Sequence, residues 1–206
     1  MPTELGPDPR PGPGLTPDPR PLPDPDADPE PDPTRLHPVP DAAAFLAGRW
    51  TVERSLLDVR TGACGSFRGT ADFRPVQPTA PAGPADPDPA APAGPTAPFG
   101  TGAVLLHAEE GELTWGATVT RASRTLRLCP RPDGTADVTF ADGRPFHDLD
   151  LRTGHWTTRH PCAQDLYGGT FTVRSADEWH LRWQVNGPAK TQLLRSVYRR
   201  VHRPAD

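Results

Sequence analysis

Apolar and polar side chains alternate at every second position along most of the chain that follows Trp50. The clearest example has polar residues between Trp179, Leu181, Trp183 and Val185. Successive side chains of a strand point to opposite faces, so this alternation predicts strands that bury one face. By the same criterion we predict strands at 50–57, 65–73, 102–108, 113–120, 126–128, 137–140, 146–152, 168–175 and 190–201.

A short helix is predicted ahead of these strands, at 41–48. Asp41 is placed to cap its N-terminus, three alanines favour helical backbone, and Gly48 is suited to end it. The segment 161–166 has no alternation, so we expect it to be irregular or to form one helical turn.

The spacing of strands and turns predicts the fold class. Asp142-Gly143 and Asn186-Gly187 are dipeptides typical of tight turns between antiparallel strands. Many short strands connected in this way form a meander, and closing the meander removes its unpaired edges. We therefore predict an all-β, antiparallel up-and-down barrel of about 8–10 strands with a short N-terminal helix. Trp115, Trp179 and Trp183 are expected in its core.

Proline limits how much of the chain belongs to this barrel. Of the 30 prolines, 15 lie in residues 1–40 and nine lie in 75–98. Proline fixes φ and lacks an amide donor, and neither segment has the apolar residues that a core needs. We predict a disordered Pro/Asp-rich tail at 1–40, a barrel domain at 41–203, and a disordered loop insertion at 75–98 within that domain.

Charge and cysteine content exclude several classes of partner. The net charge is −4, and outside the two proline-rich segments the remaining 142 residues carry only +3, so nucleic acid is not expected as a partner. No apolar run reaches the roughly 20 residues of a membrane helix, and no signal peptide is evident. Three widely spaced cysteines form no disulfide framework, which favours reduced thiols and a cytoplasmic location.

The first and last predicted strands of the barrel carry residues that occur together in a known fold family. Gly48 and Trp50 open the first strand after the helix, and Tyr198-Arg199-Arg200 ends the last strand. This arrangement resembles the lipocalin-like (calycin) barrels, in which an arginine from the C-terminal end covers the tryptophan of a Gly-x-Trp motif. The resemblance implies that Arg200, or less favourably Arg199, stacks on Trp50 and closes the barrel.

A second resemblance covers nearly all of the predicted barrel. The chain is similar to an uncharacterised bacterial and fungal domain family of unknown function that itself resembles the lipocalins. The family places tyrosine more often where this chain has His107, so a role that depends on that hydroxyl is not expected here. The shared motifs occur in one order, at 45–50, 143–147, 160–167, 183–190 and 198–200.

Polar and aromatic residues within these motifs predict a ligand site. We expect the barrel to bind a small, mostly apolar molecule at its mouth, because apolar walls with a few polar groups are typical of such pockets. Arg144 would receive an anionic group, and Lys190, which is the only lysine, would contact a carboxylate or form a Schiff base. The candidate ligand-binding residues are Arg144, His147, His160, Asp165, Tyr167, Trp183 and Lys190.

The sequence is also compatible with other chemistries. An enzyme would use His160 and Asp165 as acid and base, or pair Cys162 with His160 as a nucleophile. The ligand spacing of a metal site is absent, and nothing selects haem, for which His147 or His160 would be the axial ligand. A structural or protein-interaction module is the third alternative. The sequence identifies neither a cofactor, nor the ligand, nor the oligomeric state.

Overall fold

The computed structural model describes residues 35–76 and 103–202. These ranges contain one helix and ten strands. The helix α1 spans Ala42–Leu46. The strands are β1 Gly48–Asp58, β2 Cys64–Pro75, β3 Leu105–Trp115, β4 Thr118–Pro130, β5 Ala136–Phe140, β6 Pro145–Leu149, β7 His155–Cys162, β8 Asp165–Ser175, β9 Glu178–Asn186 and β10 Thr191–Arg200.

The ten strands form one antiparallel sheet that curls into a nearly closed barrel. Their order is β6-β5-β4-β3-β2-β1-β10-β9-β8-β7, so the first strand pairs with both the second and the last. The predicted all-β, up-and-down barrel with a short N-terminal helix is confirmed. We call the end near α1 the helix end, and the opposite end, which carries the β7–β8 and β9–β10 turns, the far end.

The barrel has a seam between β6 and β7, which lie at the two ends of the strand order. Side chains of β7 bridge this gap to Asp148 of β6. The indole Nε1 of Trp156 donates to the Asp148 carbonyl at 3.2 Å, and the Thr158 hydroxyl donates to the Asp148 carboxylate at 2.8 Å. Within the described ranges these strands share no backbone ladder, so the seam is the least tightly bonded strand boundary of the barrel.

Two-residue alternation places the core as predicted along several strands. Phe67, Ala71 and Phe73 of β2 are buried, and their neighbours are exposed or half-buried. Along β9 the side chains of Trp179 and Trp183 are buried, together with the aliphatic residues between and after them. Because every second side chain points inward, the barrel interior is filled by one face of each strand.

Two predicted elements are wrong. The alternation over 113–120 is not one strand, because Gly116, with φ +58°, turns the chain between β3 and β4. Trp115 therefore lies at a hairpin end, 37% exposed, and is not in the core. The segment 161–166 is neither irregular nor helical: it is the hairpin between β7 and β8, and Ala163 turns it with φ +53°.

Residues just before the predicted boundary at 41 also pack on the barrel. The amide of His37 donates to the carbonyl of Val173, and the amide of Val39 donates to that of Leu151, each at 3.0 Å. Val39 is 3% exposed and lies in the core. One apolar side chain and two strand-like hydrogen bonds are sufficient to attach this short segment despite its prolines. Most of the predicted tail, at 1–34, and most of the predicted insertion, at 77–98, lie outside the described residues.

The helix end is closed by Trp50 and Arg200. Trp50 is fully buried and donates from Nε1 to the Leu46 carbonyl at 2.8 Å. The guanidinium carbon of Arg200 lies 4.1 Å from the Trp50 ring centroid. The same guanidinium donates to the carbonyls of Phe45 and Ala47, at 2.6 and 3.0 Å. Arg200 therefore covers the indole and also caps the C-terminal carbonyls of α1.

Replacing Arg200 with lysine tests this closure. Lysine keeps the charge but cannot donate to two carbonyls while lying flat on the indole, so we expect R200K to lower the free energy of unfolding by about 1–3 kcal/mol. Arg195→Lys is the matched control, because Arg195 is on the same strand and is exposed; its effect should stay within about 0.5 kcal/mol. Equal effects of the two variants in urea denaturation would contradict the closing role.

Candidate functional site

A carboxylate lies inside the barrel, surrounded by cations. Glu109 of β3 is only 2% exposed. Arg54 Nη2 donates to both of its oxygens at 3.0 Å, and Arg124 Nη2 donates to Oε1 at 2.8 Å. The Tyr198 hydroxyl donates to the same oxygen at 2.6 Å. We call this group, with the adjoining His107 and Ser196, the Glu109 cluster.

Strand register brings the Glu109 cluster together. Glu109 and Arg124 are cross-strand partners on β3 and β4, and Arg54 and Ser196 are partners on β1 and β10. All of these side chains occupy the inward-facing positions of their strands. Arg54 Nε also donates to the Ser196 hydroxyl at 2.7 Å, which fixes the direction of the guanidinium.

The cluster carries a net positive charge at neutral pH. Burial raises the pKa of Glu109, but Arg124, His107 and Arg54 outweigh it and hold that pKa well below the ordinary value, so the carboxylate is ionised. Burial raises the pKa of Tyr198 to about 12, so its hydroxyl keeps its proton. Burial lowers the pKa of His107, which is therefore neutral. Two guanidinium ions thus face one carboxylate.

A cavity of about 30 Å³ lies beside this cluster, enough for about two water molecules. Its opposite wall consists of rings. Phe146 stacks on Trp183 with centroids 5.3 Å apart, and His147 lies 5.3 Å from Phe171 and 5.5 Å from Trp183. We call these four residues the aromatic wall. The cavity is lined by His107, Arg124, His147, Phe171, Trp179 and Trp183, among other residues.

Three buried polar atoms of the cavity lining have no hydrogen-bond partner among the described residues. They are Arg124 Nε, Trp179 Nε1 and His107 Nε2. His107 Nε2 lies 3.5 Å from Glu109 Oε1, at the limit of hydrogen-bonding distance and outside its preferred geometry. Buried donors without partners are rare and costly in folded proteins, so their grouping around one cavity marks it as a candidate binding site.

Four of the predicted ligand residues are brought together by the structure. His147, His160, Tyr167 and Trp183 all face the barrel interior and are linked by ring contacts. The His160 ring lies 4.9 Å from Phe146 and 6.2 Å from Tyr167, and Tyr167 lies 6.5 Å from Trp183. Sequence motifs separated by many residues therefore meet in one aromatic group that adjoins the cavity.

The charged candidates lie at the rim of the far end. Lys190 Nζ is 2.8 Å from the Asp165 carboxylate and 3.0 Å from the Tyr167 hydroxyl. The hydrogen bonds that Lys190 donates, first to Asp165 and then to Tyr167, raise the pKa of this amine, so it stays protonated and is poorly suited to form a Schiff base. Arg144 is exposed, pairs with Asp142 in its own turn and lies over Phe140, away from the cavity.

The predicted acid and base are not joined. In the described ranges no hydrogen bond or ion pair links His160 to Asp165, because the aspartate is held by Lys190. Cys162 is exposed at the β7–β8 turn. No three His, Cys, Asp or Glu side chains of residues 35–76 and 103–202 converge to hold a metal. In the same part of the chain, no helix has the length and apolar character needed to cross a bilayer.

Sequence analysis missed the Glu109 cluster altogether. One signal was present: Arg54 occupies an inward position in the series Trp50, Val52, Arg54, Leu56, where an apolar residue is expected. A charge on the buried face of a strand indicates a buried partner. Its identity requires the register, since Glu109 and Arg124 lie 55 and 70 residues further along the chain.

Acid should destabilise the barrel through His147. Burial, and then the Arg124 and His160 charges, outweigh the contact with Asp148 and lower the pKa of His147 from 6.5 to about 4. Between these values the unfolded chain binds a proton that the folded chain does not. The free energy of unfolding should therefore fall as the pH drops from 6.5 to 4, by on the order of 3 kcal/mol from this residue.

Urea denaturation across this pH range measures the effect. His147→Gln should flatten the dependence of the free energy of unfolding on pH. Substitution of the exposed His155 by glutamine should leave this dependence as in the wild type. His107, whose pKa is also lowered by burial, contributes in the same direction, so the slope of H147Q should be reduced and not abolished. An unchanged slope in H147Q would show that His147 is not buried in its neutral form.

Comparison with solved structures supports the architecture. The S-type phycobiliprotein lyase CPES from Guillardia theta aligns with a TM-score of 0.53 at 11% identity, over 78% of this chain and 91% of the lyase. A de novo designed fluorescence-activating β-barrel aligns with a TM-score of 0.37 at 15% identity, over 78% of this chain and 98% of the design. The likeness to the lyase shows a shared lipocalin-like barrel fold. A search of curated proteins finds no match.

Family membership rests on the sequence itself. The motifs between Phe45 and Arg200 resemble a domain family of unknown function, and in the structure this region forms the barrel. A family model covers the same region, well over half of the sequence. Because residues 46–200 match the model of the family of unknown function DUF6314, the chain belongs to that family.

Proposed function

We propose that this barrel binds a small, mostly apolar molecule in its interior, with a flat ring packed against Trp183. The observation that carries the proposal is the cavity between the aromatic wall and the Glu109 cluster, which has three buried polar atoms without partners. Apolar walls with a few convergent polar groups are the usual composition of small-molecule sites.

The size of the cavity sets a condition on binding. About 30 Å³ is far below the roughly 300 Å³ of sites for drug-sized ligands, so a ligand has to displace side chains that line the cavity. The seam between β6 and β7 is adjacent, since Phe146 and His147 belong to β6. Separating these strands breaks side-chain hydrogen bonds to Asp148 and no backbone ladder, which makes the seam the favoured route of entry.

The charged residues at the rim of the far end have a secondary role in this proposal. Arg144, Asp165 and Lys190 lie at the far end, beyond the aromatic group that includes His160 and Tyr167. They would contact the part of a ligand that projects from the barrel. The three cysteines are free thiols, which supports a cytoplasmic location as part of the same proposal.

A neutral, environment-sensitive naphthalene dye tests the proposed function. Titrated into the protein, it should show saturable, one-to-one fluorescence enhancement. Trp183→Leu should weaken binding by about three- to tenfold, because it removes a stacking partner while keeping an apolar side chain. Trp115→Leu is the matched control: Trp115 is partly exposed at a hairpin end and should not affect the dye.

Two results would overturn the proposal. One is enhancement that never saturates, which indicates adsorption to the surface. The other is equal weakening by the two tryptophan variants, which indicates that the dye is not inside the barrel. Native mass spectrometry and an absorption spectrum of the freshly purified protein provide an independent check, because a co-purified ligand appears in both.

A further inference from the structure

The interior of the barrel has more positive than negative charge. Arg54 and Arg124 are cations, and within the cluster only Glu109 opposes them, since Tyr198 and His107 are neutral at pH 7. Buried charges are costly unless they are paired, so one cation in excess creates a strong preference for a further anion. The cavity lies beside this cluster and is lined by Arg124.

The two arginines are not equivalent. Most of the hydrogen-bonding capacity of Arg54 is already used. Its Nε donates to Ser196, and its Nη2 donates to Glu109 and Tyr198. Its side chain is 12% exposed. Arg124 gives Nη2 to Glu109, but its Nε is buried without a partner, and its side chain is 33% exposed and lines the cavity. The excess positive charge is therefore accessible at Arg124.

A second donor points to the same ligand chemistry. Trp179 is 4% exposed, lies flat on Tyr198 with centroids 3.8 Å apart, and lines the same cavity with its Nε1 unpartnered. Indole Nε1 and guanidinium Nε are groups that donate and never accept. Their missing partners are therefore acceptors. A carboxylate supplies both acceptor oxygens and the negative charge, whereas an alcohol or a ketone supplies no charge.

We propose that the ligand of this barrel is an aryl or similarly apolar carboxylic acid, with its carboxylate on Arg124 and Trp179 and its ring against the aromatic wall. This inference rests on the proposed function, since it names the chemical class of the molecule in the same cavity. Binding of one carboxylate brings the two arginines and Glu109 to overall neutrality. It also gives hydrogen-bond partners to Arg124 Nε and Trp179 Nε1.

A matched pair of naphthalenes tests the class of ligand. 2-Naphthoate and 2-naphthalenemethanol share a ring and differ in the charged group, and calorimetry of each with the full-length protein gives the two affinities. The acid should bind at least about tenfold more tightly than the alcohol, because a charge-assisted hydrogen bond in a buried site is worth 1.4 kcal/mol or more. The preference should weaken as salt rises.

Substitutions on β4 test whether Arg124 causes the preference for the acid over the alcohol. Arg124→Gln should remove most of the advantage of the acid while leaving the affinity for the alcohol close to that of the wild type. Arg121→Gln is the matched control, because Arg121 is on the same strand but is exposed on the outer face; it should leave both affinities unchanged. If R124Q unfolds, Arg124→Lys replaces it and should reduce the preference without eliminating it, because lysine keeps the charge and loses the planar fork.

The outcomes separate this inference from the proposed function. If the alcohol binds and the acid binds no better in the wild type, the acidic ligand class is wrong and the binding function stands. If the acid binds better than the alcohol in the wild type, and R124Q shows this preference to the same extent as R121Q, the assignment to Arg124 is wrong. If neither compound binds in the barrel, the proposed function fails, and the inference fails with it.

Discussion

The carboxylate of Glu109 is the group on which the interior of this barrel depends. It lies at the meeting point of β1, β3, β4 and β10 and accepts hydrogen bonds from side chains of three of these strands. An isolated ion in such a place would cost many kcal/mol, and removing one member of a buried ion pair typically costs about 3–5 kcal/mol. The cluster is therefore retained only as a complete unit. An apolar core of the same volume would stabilise the barrel as well, so stability alone does not account for the cluster, and the proposed function gives it a use.

The Glu109 cluster and the aromatic wall lie on different strands of the barrel. The Glu109 cluster lies on strands that are joined by continuous backbone ladders through β1. Much of the aromatic wall lies on β6 and β8, at or near the seam, where side chains of Trp156 and Thr158 replace the ladder. In the proposed function, the charges of the Glu109 cluster would orient a ligand, and the rings of the aromatic wall would pack against it. The seam is therefore where the proposed binding of a molecule larger than the cavity of about 30 Å³ would displace side chains.

Periodicity predicted the barrel well because one face of every strand is buried. It failed at Gly116 and Ala163, where two-residue turns continue the alternation without interrupting it. Motif resemblance placed Arg200 against Trp50 and grouped His147, His160, Tyr167 and Trp183, since these residues lie in shared motifs. It could not find Glu109 and its arginines, because charged residues on a strand look solvent-facing until the register is known. Cross-strand pairing across 15 to 144 residues is information that a local pattern does not contain.

The ionisation state of Glu109 tests this account most directly. The side-chain carboxyl carbon of Glu109 can be followed by ¹³C NMR through a pH titration, with the signal assigned by its loss in Glu109→Gln. At pH 4.5 a glutamate with the ordinary pKa is half protonated. We expect Glu109 to keep the chemical shift of a full carboxylate at this pH and below it, for as long as the protein stays folded. A Glu109 that titrates at or above pH 4.5 would contradict the buried ion cluster and the excess positive charge derived from it.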